Sequence, residues 1–161
     1  MMEYFLFTQA AGLGYDNVFN NVYMWALRQG DHYVYHLSQW DMDMGFNKMF
    51  GSDEDTINLY LKQAWRMLDL DVSSAQQVLR DVWNEKRETI LSDDAMYQRV
   101  DDLQNMINDS GAYLRESEKY RGGAQELDLS EIQSFAVEHL HTIEREMDNM
   151  WPLKTAETTE E

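Results

Sequence analysis

Ser92-Asp-Asp-Ala-Met-Tyr-Gln-Arg-Val-Asp-Asp-Leu-Gln-Asn-Met-Ile-Asn-Asp109 is the stretch on which the fold turns. Stepped at 100° per residue, Met96, Val100, Leu103 and Ile107 share one face. Asp94, Asp101, Asp102 and Asp109 share the opposite face, and Glu116 continues it. This is the period of an amphipathic helix, started by Ser92 or Asp93 as an N-cap. The chain around it repeats the pattern, and its single proline, Pro152, leaves every earlier segment free to be helical.

Working outward from there, Gly111 interrupts the helix before Tyr113 and Leu114, and Arg121-Gly122-Gly123-Ala124 forms a loop. Ser130 opens a last long helix, apolar at Ile132, Ala136, Leu140, Ile143, Met147 and Met150, which Pro152 stops. Upstream, Ser73 and Gln76 fit a capping box for a helix bearing Val78, Leu79, Val82 and Trp83. Asp53 opens a helix through Leu70 with Ile57, Leu61, Ala64, Trp65 and Leu68 inward. Asp16 caps a helix over 17–29 with Val18, Val22, Trp25 and Ala26 on one side, ended by Gly30. Asp31 caps a short helix with Val34 and Leu37 inward, and 41–52 read as an irregular apolar connection. Glu3 to Thr8 fits either a strand or an apolar helix. The expected fold is mainly α: one compact helical domain of about six helices over 1–153, followed by a disordered polar tail, 154–161. Trp65 and Trp83 are expected in its core.

Composition excludes several function classes. The 161 residues are 43% hydrophobic, enough to build a core. No run of about 18 apolar residues is present to span a membrane. The start, Met1-Met2-Glu3-Tyr4-Phe5-Leu6-Phe7, lacks the basic region of a secretion signal. The absence of cysteine removes disulfides, thiolate nucleophiles and cysteine-type zinc sites. The expected location is the cytoplasm. With 30 acidic residues against 13 Lys and Arg, the net charge of −17 repels nucleic acid and anionic lipid and favours a basic partner.

The charge is uneven. Residues 92–118 hold seven acids and two bases, and 126–161 hold ten and two. The acids of the 92–109 helix do not alternate with Lys or Arg, although opposite pairs at i,i+4 would stabilise it by ~0.2–0.5 kcal/mol each. Their spacing of seven residues corresponds to about 10.5 Å, against ~3.4 Å between phosphates of one DNA strand. The last helix adds Glu131 and Glu138, with Asp148 near its C-terminus, where the helix dipole disfavours an acid. Asp53, Glu54 and Asp55 sit at a helix start and read as capping charges. Trp40-Asp41-Met42-Asp43-Met44 sets Met and Trp beside acids, a composition suited to an adaptable contact surface as well as to closing a core.

Other chemistry is weakly signalled. His139 and His141 diverge by about 200° on a helix, so they cannot share a metal. His32 and His36 have a chelating i,i+4 spacing, with Asp41 or Asp43 as a third ligand, but the pattern of a metalloprotease is missing and no metal site is expected. Gly12-Leu13-Gly14 is too short for a phosphate loop and no Gly-Lys-Ser/Thr follows it. Nothing resembles a nucleophile elbow. No cofactor is expected, and the chain does not read as an enzyme.

Tyr35-His-Leu37, then Gly45-Phe46-Asn-Lys-Met-Phe50 before an amphipathic helix, resembles a small acidic all-helical family typified by the neisserial DNA-mimic protein. That family shows Asn-Gly-Gly-Phe, a Gln and an aromatic pair; here Asp43-Met44-Gly45-Phe46 and Lys48 stand in those places. The resemblance implies an all-helical protein that occupies the DNA site of a DNA-binding protein, as inhibitors of restriction and CRISPR enzymes do. The leading expectation is therefore an acidic DNA mimic that inhibits a basic nucleic-acid-binding protein: a repressor, a restriction enzyme or a CRISPR effector. Its contact residues would be Asp94, Asp101, Asp102, Asp109, Glu116, Glu131, Glu138, Asp148, Asp41 and Asp43. The alternative is a non-mimic interaction protein, an assembly factor or immunity-type protein, that binds a basic partner. Direct nucleic-acid or membrane binding is not expected, and homodimer formation stays open.

Overall fold

Met2-Glu-Tyr-Phe-Leu-Phe-Thr-Gln-Ala10 is apolar on nearly every side, and a segment of that kind is stable only where it is surrounded. It forms a central helix, α1 (Met2–Ala10), with Met2, Phe5, Leu6 and Ala10 buried. Its two buried polar side chains bond locally: Thr8 Oγ1 donates to the Phe5 carbonyl at 2.7 Å and Gln9 Nε2 to Thr8 Oγ1 at 3.2 Å. Satisfied in this way, they avoid the penalty of unpaired buried groups. The ambiguity over 3–8 is thus resolved as helix.

The computed structural model describes residues 2–11, 21–42, 45–46 and 62–152. After α1 come β1 (Val22–Gln29), β2 (His32–Gln39), α2 (Lys62–Asp69), a 3-10 turn (Val72–Ser74), α3 (Ala75–Arg87), α4 (Asp93–Asp109), α5 (Ala112–Tyr120) and α6 (Ser130–Met150). Among the described residues, six α-helices and one two-stranded antiparallel sheet make a mainly α domain, as expected. The core joins α1, α3 and α6 through Phe5, Leu79, Trp83, Leu140, Ile143 and Met147, closed by Trp151 edge-on to Phe5 at 6.5 Å. α4 packs along α6, with Val100 buried and Met96 against the core.

Several expected boundaries hold. Ser92 caps α4 and accepts from the Ala95 amide at 3.2 Å. Gly111, at φ 64, separates α4 from α5, and α6 begins at Ser130 and ends before Pro152. The capping box at Ser73 and Gln76 does not form. Ser73 and Ser74 take left-handed backbone, and Asp71 Oδ1 accepts from the Gln76 amide instead. The Gln76 side chain turns away to the Leu68 carbonyl at 2.7 Å. The expected helix start at Asp53 lies outside the described residues, as do Ile57, Leu61 and the side chain of Trp65.

Asp148, placed unfavourably for the dipole of its helix, has a tertiary partner. Arg80 on α3 donates to its carboxylate at 2.8 Å, to the Met147 carbonyl at 3.2 Å and to the Trp151 carbonyl. The guanidinium thus caps the C-terminal end of α6. Arg80→Ala is expected to cost about 1.5–3 kcal/mol in denaturant unfolding, because it strands carbonyls served by a charged donor. Arg80→Lys should recover only part of this, since an ammonium lacks the planar fork.

The helices expected over 17–29 and after Asp31 are replaced by the hairpin β1–β2, with pairing from Val22↔Gln39 to Gln29↔His32. Val22, Tyr23, Trp25, Tyr33, Val34 and Tyr35 are β-branched or aromatic, types that favour strands. The two runs are separated by just Gly30-Asp31, a hairpin turn signal. Gly30 takes φ 65, where a side chain would be strained, and Arg28 Nε donates to its carbonyl at 3.1 Å. The apparent helical period rested on too few positions to outweigh that turn.

Candidate functional site

At the base of the hairpin, backbone groups that are distant in sequence come together. The Trp40 amide donates to the Asn21 carbonyl at 2.9 Å. Further on, Gly45 donates to the Met42 carbonyl at 3.1 Å and Phe46 to the Ala11 carbonyl at 2.8 Å. Ala11 and Asn21 are thus each bonded to a residue of the stretch that follows β2, Phe46 and Trp40. Asp41 lies in that stretch, exposed and with left-handed backbone at φ 56. A non-glycine residue held in that region costs free energy and is found preferentially at working sites. Asp43 and Asp16 lie outside the described residues.

α1 and the hairpin enclose an open cleft of about 420 Å³ lined by Glu3, Tyr4, Phe7, Met24, Tyr35, His36, Leu37 and Gln39. Gln39 Nε2 donates to the Tyr4 hydroxyl across it. Burial pushes the Tyr4 hydroxyl up to about 12, so it stays protonated at neutral pH.

The histidines do not form a metal pair. His32 and His36 lie four residues apart on a strand, which separates them by about 13 Å. His32 pairs with Asp31 at 3.3 Å, and His36 stacks on Trp25 at 4.5 Å. His139 is buried and donates to the Gln9 carbonyl at 2.7 Å. Among the described residues no cluster of three or more His, Asp or Glu could hold a metal.

Every described acid singled out from the sequence is exposed: Asp94, Asp101, Asp102, Asp109, Glu116, Glu131, Glu138, Asp148 and Asp41. Several of them are engaged within the chain, Asp41 and Glu131 included. Asp101 accepts from Gln133 and Asp102 from Gln98, both at 2.7 Å, and Asp148 from Arg80. Asp93, which was not singled out, has the richest surroundings. It accepts from Arg87 at 2.8 Å and His141 at 2.9 Å, tying α4 to α3 and α6. Partial burial alone would raise its pKa, but the bonds and charges of Arg87 and His141 outweigh it and hold the carboxyl below the usual aspartate range. A carboxyl lowered by folding stabilises the native state above its unfolded value and loses that contribution as pH falls through the folded value. The stability gap between the native chain and Asp93→Asn should therefore be full at pH 6 and close below about pH 4, in parallel urea titrations.

Sequence comparison overturns the DNA-mimic reading. The family model for CotH kinase protein matches residues 2–145. No curated protein matches, and no solved structure does. The likeness carried by Gly45 and Phe46 was therefore not one of family, and the inhibitor of repressors, restriction enzymes or CRISPR effectors has no support; nor has the non-mimic binder of a basic partner. The error lies in the charge: acidity governs solubility and long-range attraction, and does not identify a fold or a site. No described helix is long and apolar enough to cross a membrane. With nearly its whole length matched, the chain belongs to the CotH kinase protein family.

Proposed function

We propose that the chain carries the carboxylate side of a phosphoryl-transfer site, made by residues just before β1 and just after β2. The observation that carries this reading is the pair of anchors from Trp40 to Asn21 and from Phe46 to Ala11. The family's description as a kinase supports it. In protein kinases an Asp-x-x-x-x-Asn loop supplies a base for the attacking hydroxyl and a metal-holding Asn, and a second Asp holds metal. Asp16 and Asn21 have that spacing here, and Asp41 follows the hairpin that begins just after Asn21. In this reading Asp16 accepts the proton of the substrate hydroxyl. Asn21, Asp41 and Asp43 form an all-oxygen donor set, which fits a hard divalent cation such as magnesium. When bound, magnesium neutralises charge gathering on the transferred phosphoryl group. The sequence signal was available in Asp16-Asn17-Val18-Phe19-Asn20-Asn21, but Asp16 also suits a helix cap.

The test is transfer of the terminal phosphate of labelled ATP, with magnesium, to the chain itself or to a basic protein bearing serine and threonine. Manganese broadening of NMR signals provides a second readout. Label transfer and selective broadening at Asn21 and Asp41 are expected, with both retained in Asp101→Asn and Asp102→Asn. Broadening spread evenly over the acidic helices, or transfer indifferent to Asp41, would overturn the reading.

A further inference from the structure

We propose that the cleft between α1 and the hairpin binds a neutral aromatic carboxamide through the paired side chains of Tyr4 and Gln39. The inference does not rest on the phosphoryl-transfer reading, whose residues lie outside this cleft. Side chains alternate between the two faces of a strand, and the register sets Met24 opposite Leu37. Tyr35, Leu37 and Gln39 therefore share one face of the hairpin, and the bond from Gln39 to Tyr4 turns that face toward α1. Phe7 on α1, with Met24 and Tyr35 on the hairpin, gives apolar walls to a space of about 420 Å³. Small-molecule sites run to roughly 300–1,000 Å³. All three side chains are large and exposed, at 44%, 69% and 65%.

Polar groups are left over between these walls. Gln39 Nε2 donates to the Tyr4 hydroxyl, while Gln39 Oε1 is buried with no partner among the described residues. The Tyr4 hydroxyl accepts that bond, and its own proton has no acceptor among the described residues. A buried group left unpaired costs free energy, which a complementary ligand recovers. The pair thus lacks one donor and one acceptor next to each other. A carboxamide supplies both, its N–H to Oε1 and its carbonyl to the Tyr4 O–H. Oε1 is shielded in the free chain, so the ligand reaches it as the Gln39 amide turns about its last torsion, a soft one. Charge on the ligand is disfavoured. The burial that pushes the Tyr4 hydroxyl up to about 12 also penalises an ionised group beside it. Glu3, among the lining residues, repels an anion, and its carboxylate already faces Lys86 at 3.7 Å. A flat ring completes the ligand, because Phe7 and Tyr35 are aromatic and Met24 adapts its shape to what it covers.

The test titrates the isotopically labelled full chain with benzamide, acetophenone and benzoate, followed by NMR. Benzamide is expected to shift the side-chain amide signals of Gln39 and the backbone amides of Phe7, Met24 and Leu37, saturating in the millimolar range. Acetophenone keeps the ring and the carbonyl but has no N–H, so it should bind at least about tenfold more weakly, ~1.4 kcal/mol. Benzoate, which is charged, should bind more weakly still. Gln39→Met keeps the length of the side chain and removes its amide, and it should also weaken benzamide binding about tenfold, with slow amide exchange in β1 and β2 as the fold control. If that variant does not fold, the acetophenone comparison decides, since it leaves the protein unaltered. Equal binding of acetophenone or benzoate would overturn the proposal. So would unchanged benzamide binding in folded Gln39→Met, shifts centred away from the cleft, or no binding up to about 10 mM, the result expected if only water fills the space.

Discussion

Asp41→Asn should lower phosphoryl transfer by roughly 10²–10³-fold, the loss expected when one preorganised electrostatic group is removed from a transition state. The substitution is chosen so that little else changes. Asparagine matches aspartate in size and tolerates left-handed backbone, so φ 56 can be kept. Asp41 is exposed, and surface substitutions of this kind usually shift stability by less than about 0.5 kcal/mol. Alanine would be a poorer probe, because it adds backbone strain of roughly 1–2 kcal/mol at this position. The measurement is the initial rate of label transfer, with thermal unfolding as the fold control. Manganese affinity should fall in parallel. An unchanged rate in a folded variant would remove Asp41 from the site.

The largest effect on stability is expected at Trp83. Its side chain is 2% exposed and packs in the cluster of Phe5, Leu79, Leu140 and Met147 where α1, α3 and α6 meet. Trp83→Ala removes that volume from a close-packed interior and should cost about 3–5 kcal/mol in denaturant unfolding. That is a large share of the ~5–15 kcal/mol that typically holds a domain together. Trp83→Phe should cost markedly less. Among the described residues the buried indole N–H has no hydrogen-bond partner, so its removal forfeits no bond. A loss below about 1 kcal/mol for the alanine variant would show that the three helices do not depend on this residue.

The function was less legible than the fold. The −17 charge and the uniform acids of α4 point toward DNA mimicry, while the residues proposed for phosphoryl transfer carry few of those charges. Asp16 and Asp41 each had a sufficient local explanation, as a helix cap and as part of an apolar loop. A site made of single residues from separate loops leaves no period and no local excess of charge.

The sequence alone determined the helical C-terminal half. The 3.6-residue periods of α4 and α6, the Ser92 cap, the break at Gly111 and the stop at Pro152 depend on interactions within one or two turns, so they can be read from neighbours. Only the tertiary structure decided the rest. Val22 and Trp25 suit a helix or a strand, and pairing with β2 across Gly30-Asp31 settles which. Asp148 looks misplaced until Arg80 reaches it from α3. Asn21 meets Trp40, and Ala11 meets Phe46, because their backbone groups satisfy one another across the fold. Hydrogen bonds between distant residues leave no mark on local composition, and they are what positions the candidate site.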